Sequence, residues 1–247
     1  MKITLVMPMG GGGTRFGNYG FDMPKPLIDL QNKPFFYWAV RSIEKFISVE
    51  DIIFVVLKDH VDRFHIDQVI LEHFPKSRIQ IIPQILNGAV LTCMEGIKLV
   101  EDDKPILFND CDHAFICNEF YDFVRDGKFS VIDGAMLTFA SKDPRYSFAK
   151  TDKQGRVVKT AEKEVISHEA ICGAYYFKNR QIFKESVTIY LNHCNYQEYF
   201  ISGVYNDMIA ADKIIKTFKT DEHISFGTPE EYEHALCDKR LELLIGG

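Results

Sequence analysis

The chain has 247 residues and a formal net charge of -6 at pH 7, with 46% apolar and 26% charged residues. This length fits one large domain, and the apolar fraction supplies a full core, so a disordered chain is excluded. The 35 acidic residues outnumber the 29 basic ones. That balance argues against nucleic acid as a partner, because phosphate neutralisation needs a basic surplus. No linker or repeat marks a boundary, so we expect a single domain over residues 1–247.

Cysteine usage and hydropathy favour a cytoplasmic protein without membrane insertion. The six cysteines lie in apolar segments and form no Cys-x-x-Cys pair, which is typical of reduced core thiols. The longest apolar run covers residues 52–57, far short of the ~18 residues that a transmembrane helix needs. The first strand-like segment runs into four glycines without a signal-peptide cleavage site. The sequence leaves the oligomeric state open.

In the first half, short β-rich runs alternate with stretches of helical periodicity. The predicted strands cover residues 3–9, 51–57, 78–83 and 105–109, and the predicted helices cover residues 34–47, 60–74 and 88–100. Such alternation is typical of parallel strands joined by crossover helices. We therefore predict a Rossmann-like α/β fold with a mixed, mainly parallel sheet flanked by helices.

The second half changes to longer strands with turns between them, which predicts a mixed or antiparallel extension of the sheet. The predicted strands cover residues 132–141, 148–151, 157–160, 170–177, 214–218 and 224–226, and the predicted helices cover residues 179–191 and 197–211. A last helix is predicted after Thr228-Pro229, because Thr caps, Pro suits the first helical position and Glu231 completes a capping box.

A glycine-rich loop follows the first predicted strand. The residues of this loop with small or uncharged side chains are Met9, Gly10, Gly11, Gly12, Gly13 and Thr14. At the carboxyl end of a strand, glycines let backbone N–H groups curl around an anion, and the following Arg15 can contact two oxygens. Neither the Gly-x-Gly-x-x-Gly nor the P-loop pattern fits. The loop therefore indicates that a phosphate chain binds through a backbone arrangement other than these two motifs. A flexible glycine turn is the alternative.

A lysine held between two prolines follows the loop. Pro24 and Pro26 keep the chain extended on both sides of Lys25. An isolated lysine is usually a solvated surface residue, but here the glycine loop lies ten residues upstream. We therefore expect Lys25 and Arg15 to meet one phosphate chain.

These residues carry a resemblance to a known family. Gly12-Gly13-Thr14-Arg15 followed by Lys25-Pro26-Leu27 resembles the signature of sugar-phosphate nucleotidyltransferases, which make nucleotide sugars. The chain is also similar to a branch associated with bacterial capsule and surface-glycan genes. The resemblance implies a GT-A-like nucleotidyltransferase fold. It also implies a Mg²⁺-dependent reaction that joins a nucleoside triphosphate to a phosphorylated small molecule and releases pyrophosphate.

The same resemblance assigns roles to individual residues. It implies that Arg15 and Lys25 are catalytic and that residues 9–14 bind the nucleotide. In the family a Gln and a glycine-rich helix start contact the base, which here implies Gln84 and Gly88. A polar loop before a helix is the ordinary interpretation of those two residues.

Two carboxylates follow the predicted strand at residues 105–109. Asp110 and Asp112 supply the hard oxygen ligands that Mg²⁺ prefers, although an Asp-rich turn that caps the next helix is an equal alternative. The family carries a Mg²⁺-binding Asp after the equivalent strand, which favours Asp112. His113 shows none of the ligand spacings typical of zinc, so the sequence does not predict a zinc site there.

Later matches to the family are less regular. Glu162-Lys163 and Gly173 resemble elements that hold the sugar phosphate, with Glu164 in place of a proline. Ser225 stands where the family usually has a second metal-binding Asp, so Asp112 is expected to bind metal together with Asp110 or Asp207.

Two other function classes stay open at this stage. A GT-A-type glycosyltransferase would use Asp110 and Asp112 for the metal of a nucleotide-diphosphate sugar, but it has no need of the glycine loop and Lys25. A degenerate, non-catalytic nucleotide-binding protein is the other alternative, indicated by Ser225 and Glu164.

Overall fold

A computed structural model describes residues 2–101 and 103–244 of the chain. The strands are β1 (Ile3–Met9), β2 (Asp29–Leu30), β3 (Lys33–Pro34), β4 (Val49–Leu57), β5 (Arg78–Ile82), β6 (Ile106–Asn109), β7 (His113–Ile116), β8 (Gly134–Ala140), β9 (Ser147–Thr151), β10 (Val157–Glu162), β11 (Glu169–Phe177), β12 (Ile215–Lys219) and β13 (Glu222–Ser225). The main sheet runs in the order β10-β9-β11-β6-β1-β4-β5, and β8 joins β12 to β11.

Helices cover the sheet on both faces. The α-helices are α1 (Thr14–Asn18), α2 (Phe35–Glu44), α3 (Lys58–Phe64), α4 (Ile66–His73), α5 (Ala89–Gly96), α6 (Asn118–Arg125), α7 (Arg180–Leu191), α8 (Ile201–Ala210) and α9 (Pro229–Ala235), and the 3₁₀ turns are Lys25–Leu27, Ile97–Leu99 and Lys239–Leu244. No helix in the described ranges has the length and apolar character needed to cross a membrane.

The parallel half of the sheet lies between two apolar layers. β1 pairs in parallel with β4 and β6, and β4 pairs in parallel with β5. Leu5 and Met7 of β1 pack in one hydrophobic cluster, whereas Val6 packs in the cluster on the opposite face. Because side chains alternate along a strand, burial on both faces requires a continuous apolar run. The predicted parallel strands are confirmed, and this arrangement explains their composition.

The second half extends the sheet with antiparallel pairing, as predicted. β11 is antiparallel to β6, β8 and β9. β1 and β6 are parallel neighbours, so their carboxyl ends lie at the same edge of the sheet. The fold therefore brings the glycine loop after β1 to the loop that carries Asp110 and Asp112.

Some elements differ from the sequence-based prediction. The helix predicted over residues 60–74 is two helices, because His65 takes a left-handed φ of 51° between them. The helix predicted from residue 197 begins at Ile201. β7 and α6 were not predicted. β7 is only four residues long, and its partner strand β13 lies far along the chain. The capping box of α9 is confirmed by the bonds between Thr228 and Glu231.

Candidate functional site

Two adjacent cavities open at the carboxyl edge of the parallel strands. The larger, of about 600 Å³, is lined by the glycine loop and residues 85–89 and is called the loop cavity here. The smaller, of about 360 Å³, lies beside Asp110 and Asp112 and is called the carboxylate cavity. Arg15 and Lys25 line both cavities. The two cations that the sequence singled out therefore form the boundary between the cavities.

Arg15 places a positive charge at this boundary. It lies in the short helix α1 directly after the glycine loop, and its side chain is exposed. Within residues 2–101 and 103–244, Arg15 makes no side-chain hydrogen bond or ion pair. A guanidinium group with free donors can contact two phosphate oxygens at once.

Lys25 connects the glycine loop with the acidic loop. Its Nζ lies 2.7 Å from Oδ2 of Asp112, and both side chains are largely buried. Burial opposes the charge on each group, but their mutual attraction raises the pKa of Lys25 and lowers the pKa of Asp112. Both groups are therefore charged at neutral pH. The predicted proximity of Lys25 and the acidic pair is present in the structure.

Asp110 lines the same cavity as Asp112, but its pKa is shifted in the opposite direction. Burial and then repulsion from Asp112 raise the pKa of Asp110 to about 7. A bound divalent cation would relieve the repulsion between these two carboxylates. The pair supplies hard oxygen donors beside a cavity with phosphate-binding character, so the donor set fits Mg²⁺.

Gly173 shapes the backbone beneath the carboxylates. The β11–β8 register shifts between Ile171 and Tyr175, and Gly173 within this irregularity has φ +100°. Its carbonyl accepts a 3.0 Å hydrogen bond from the Asp110 N–H. A Cβ atom at Gly173 would lie 2.7 Å from Oδ2 of Asp110. Only glycine fits this close approach, so Gly173 positions Asp110.

The other residues predicted to bind the acceptor lie at different depths. Glu162 lines the carboxylate cavity, where its carboxylate accepts hydrogen bonds from the hydroxyls of Ser147 and Ser202. Lys163 is exposed and is not among the lining residues. Its Nζ lies 5.1 Å from the ring centroid of Phe200, which does line the cavity. Lys163 is therefore placed at the rim.

The carboxylate cavity also contains residues that the sequence analysis missed. Tyr146 donates a 2.8 Å hydrogen bond to Oε1 of Glu231, and Arg145 lies 3.6 Å from the same oxygen. Oε2 of Glu231 accepts hydrogen bonds from the N–H groups of Gly227 and Thr228. The capping box was the one available signal, since it fixed Glu231 but did not indicate a cavity.

The predicted nucleotide-binding residues divide between several surfaces. Gly10, Gly11, Gly12, Gly13, Thr14 and Gly88 line the loop cavity. A Cβ atom at Gly88 would lie 2.4 Å from the backbone nitrogen of Tyr199, so a side chain there is excluded. Met9 is buried and lines a small recess beside Lys25 and Asp110. Gln84 is exposed and lies in a neighbouring groove on the other side of Gly12 and Gly13.

Ser225 occupies the position that the family gives to a second metal-binding Asp. It pairs with His113 across β13 and β7 and lines the carboxylate cavity. Burial is the main cause of the raised pKa of the neighbouring Tyr146, which is about 12; Glu231 raises it further and Ser225 lowers it. Asp207 does not line either cavity, and its Oδ1 lies 2.6 Å from Nε2 of His193. The structure therefore leaves Asp110 as the carboxylate next to Asp112.

Comparison with known proteins shows extensive similarity. The model of the nucleotidyl transferase family matches residues 4–239. A D-glycero-alpha-D-manno-heptose 1-phosphate guanylyltransferase from Campylobacter jejuni subsp. jejuni serotype O:2 is 26% identical over 233 residues. That alignment covers 94% of this chain and 98% of the relative.

Two solved structures share the fold. A nucleoside-diphosphate-sugar pyrophosphorylase from Vibrio cholerae RC9 superposes with a TM-score of 0.82 at 22% identity, covering 95% of this chain and 100% of the other. An inositol-1-phosphate CTP transferase from T. maritima superposes with a TM-score of 0.75 at 15% identity, covering 99% and 95%. The predicted nucleotidyltransferase fold is confirmed.

Proposed function

This chain belongs to the nucleotidyl transferase family, and we propose that it transfers a nucleotide from a nucleoside triphosphate to a phosphorylated small molecule, releasing pyrophosphate with the help of Mg²⁺. A sugar 1-phosphate is the proposed acceptor class, and the product would serve surface-polysaccharide synthesis in the cytoplasm. One observation carries the proposal: Arg15 and Lys25 line both cavities, so both cations reach the point where two substrates would meet.

The two cavities suit the two substrates. The loop cavity has glycines in place of side chains, which suits a triphosphate that must approach the backbone closely. The carboxylate cavity has Glu162, Tyr146 and Glu231, which suit the hydroxyl groups of a sugar-like acceptor. In this arrangement the acceptor phosphate lies near Arg15 and Lys25.

In the proposed reaction, an oxygen of the acceptor phosphate attacks the α-phosphorus of the triphosphate. The bond between that phosphorus and the oxygen of the β-phosphate breaks, and pyrophosphate leaves. The attacking phosphate is already an anion at pH 7, so no general base is required. Catalysis then depends on positioning and on stabilisation of negative charge, which Arg15 and Lys25 provide.

The carboxylates define where a metal ion would act. Asp110 and Asp112 would hold Mg²⁺, which supplies positive charge to phosphate oxygens when bound. Lys25 keeps Asp112 ionised and oriented. Gly173 keeps Asp110 in place through the hydrogen bond to its backbone. Each carboxylate therefore has its own positioning contact.

The proposal is tested by pyrophosphate release over a grid of substrates. GTP, CTP, UTP, dTTP and ATP are each combined with D-glycero-alpha-D-manno-heptose 1-phosphate, glucose 1-phosphate, inositol 1-phosphate and phosphocholine. We expect one pair to give Mg²⁺-dependent turnover that EDTA abolishes. Asp112→Asn should abolish this turnover, whereas Asp122→Asn, which changes an exposed carboxylate on α6, should not.

A binding measurement separates a wrong acceptor from a wrong function. Thermal unfolding with Mg²⁺ and each triphosphate should show stabilisation by at least one of them, because a ligand that binds the folded state raises Tm. Asp112→Asn should reduce that stabilisation. The proposal is overturned when no triphosphate stabilises the wild-type protein, or when only nucleotide-diphosphate sugars do, the latter favouring a glycosyltransferase.

A further inference from the structure

Three metal-ligating side chains from three different strands meet at the wall of the carboxylate cavity. His113 lies on β7, His223 on β13 and Cys172 on β11, and one ligand atom of each lies within 4.8 Å of the others. All three residues line the cavity. They are chemically distinct from the neighbouring carboxylates, because they offer nitrogen and sulfur rather than oxygen.

Strand pairing holds the two histidines on one face. Ser225 pairs with His113 and Phe115 pairs with His223 in the antiparallel β13–β7 ribbon. His113 and His223 are therefore diagonal neighbours, with ring centroids 5.6 Å apart. The ring of His223 also packs against Phe139, with centroids 4.1 Å apart. Ring packing holds both imidazoles near each other, and no side-chain hydrogen bond to either ring is present among the described residues.

Cys172 reaches the cluster because β11 is irregular at this point. The register with β8 shifts between Ile171 and Tyr175, a stretch that includes Cys172 and Gly173. Such irregularities redirect side chains and are common beside functional sites. A Cβ atom at Gly173 would lie 3.2 Å from Nε2 of His113. The missing side chain at Gly173 therefore keeps space open beside that nitrogen.

Three of the four ring nitrogens in the cluster are buried without a partner in the described part of the chain. His113 is 2% exposed. Both of its ring nitrogens, and Nε2 of His223, lack a hydrogen-bond partner among the described residues. Burying a polar atom without a partner is unfavourable. One ring nitrogen of each histidine can therefore bind a ligand that the two rings share.

The donor types suit a cation. A neutral imidazole offers a nitrogen lone pair, and a metal ion that binds a cysteine displaces the thiol proton.

We propose that His113, Cys172 and His223 form a binding site for a Zn²⁺-class transition-metal ion, separate from the Asp110–Asp112 pair. Two imidazoles and a thiolate are ligands that zinc prefers and Mg²⁺ does not. Zn–N and Zn–S bonds of about 2.0 and 2.3 Å set tetrahedral ligand atoms ~3.3–3.6 Å apart. The ligand atoms lie up to 4.8 Å apart, so binding requires the more distant ones to move about 1.2–1.5 Å closer. The fourth position faces the carboxylate cavity, where water or a substrate oxygen completes the shell.

The site has a structural consequence that does not depend on the proposed function. β7 and β13 form a two-stranded ribbon outside the main sheet, and Cys172 belongs to the main sheet. A shared ion would join the ribbon to the sheet beside the active cavity. We therefore expect metal binding to stabilise the protein even when no substrate is present.

The test is a titration of the chelator-treated, reduced protein with Co²⁺ as a spectroscopic substitute for Zn²⁺. We expect one equivalent of Co²⁺ to produce a thiolate-to-cobalt charge-transfer band, which Zn²⁺ abolishes and a large excess of Mg²⁺ does not. The same equivalent of Zn²⁺ should raise Tm. A wild-type protein without the band at stoichiometric Co²⁺ overturns the proposal.

Variants assign the band to individual ligands. Cys172→Ser should lose it, and His223→Gln should lose stoichiometric binding. Cys237→Ser, which changes an exposed thiol, should keep the band, and so should Cys117→Ser, which changes a neighbouring buried thiol. Circular dichroism checks that each variant is folded. A band that survives Cys172→Ser, or that disappears in either control variant, overturns the assignment; if Cys172→Ser does not fold, the His223→Gln titration decides.

Discussion

The loop cavity and the carboxylate cavity are adjacent, but they are built in different ways. The loop cavity is lined mainly by two short segments, residues 10–16 and 85–89. The carboxylate cavity takes its residues from segments spread between Arg15 and Glu231. The proposed phosphate site uses backbone groups in a contiguous loop, whereas the proposed acceptor site combines residues from many elements. The first kind of site is therefore visible as one motif in a sequence, and the second only in part.

The largest expected effect comes from the boundary that the two cavities share. Arg15→Ala should lower kcat for pyrophosphate release about 10²–10³-fold, as the loss of one electrostatic stabiliser does in other enzymes. Arg15 is exposed and has no partner in the described parts of the chain, so stability should change by less than about 0.5 kcal/mol. Steady-state assays and urea unfolding measure the two quantities.

Arg125→Ala is the matched control for this change. Arg125 is an exposed arginine on α6 that is paired with Asp122 and lines neither cavity, and its removal should leave kcat unchanged. Near-normal turnover of Arg15→Ala would show that Arg15 is not catalytic. Lys25 would then be the cation that stabilises the reacting phosphates.

A second change tests how strictly the acceptor side depends on backbone geometry. Gly173→Ala should lower the free energy of unfolding by about 2–4 kcal/mol, because it combines a left-handed φ with a clash against Asp110. Gly155→Ala has a similar φ of +73° but no atom within 4 Å, and it should cost only about 1–2 kcal/mol. Urea unfolding measures both.

Activity provides a second measurement on the same two variants. Gly173→Ala should also reduce pyrophosphate release, since Asp110 must move, whereas Gly155→Ala should retain it. Equal losses of stability and activity in the two variants would mean that only the backbone conformation matters at Gly173, and not its contact with the carboxylate.

A third change separates the two cavities kinetically. Tyr146→Phe removes the hydrogen bond to Oε1 of Glu231, and it should raise the KM of the acceptor about fivefold to tenfold, as expected for one hydrogen bond. The KM of the triphosphate should stay constant, because Tyr146 does not line the loop cavity.

Tyr19→Phe is the control for Tyr146→Phe. Tyr19 also donates to a glutamate of α9, with 2.5 Å between its Oη and Oε1 of Glu233, but it lines neither of the two cavities. Both KM values should be unaffected. A parallel rise of both KM values in Tyr146→Phe would contradict separate binding of the two substrates.

The smallest expected effect is a pH dependence of stability on the acceptor side. Burial raises the pKa of Glu162 above its ordinary value, although hydrogen bonds from Ser147 and Ser202 oppose this. The folded state therefore binds the proton more tightly than the unfolded state, and Glu162 contributes less stability as the pH rises above its unfolded pKa. Urea unfolding at several pH values should show wild type losing stability relative to Glu162→Gln. If the free energies of unfolding of the two proteins change in parallel with pH, the pKa of Glu162 is the same in the folded and unfolded states.

Prediction from sequence was most successful where the signal is local. The strand of residues 3–9 was predicted with its observed bounds, because its apolar run matches two buried faces. The capping box at Thr228 was found because it depends on only four neighbouring residues. The break at His65 was missed, since the helical periodicity continues through a residue whose backbone is left-handed.

The sequence by itself determined the parallel sheet, the glycine loop with Arg15, the position of Lys25 between two prolines, and the placement of the Asp110–Asp112 pair after its strand. Each of these depends on periodicity or on a short motif. Only the tertiary structure decided which side chains surround the carboxylates. Cys172 and His223 reach the same cavity through pairing between strands that are distant in the chain, and the same pairing brings in Tyr146 from the turn before β9 and Glu231 from α9. Such pairing depends on the burial of whole strands, and it leaves no local pattern around the residues that it brings together.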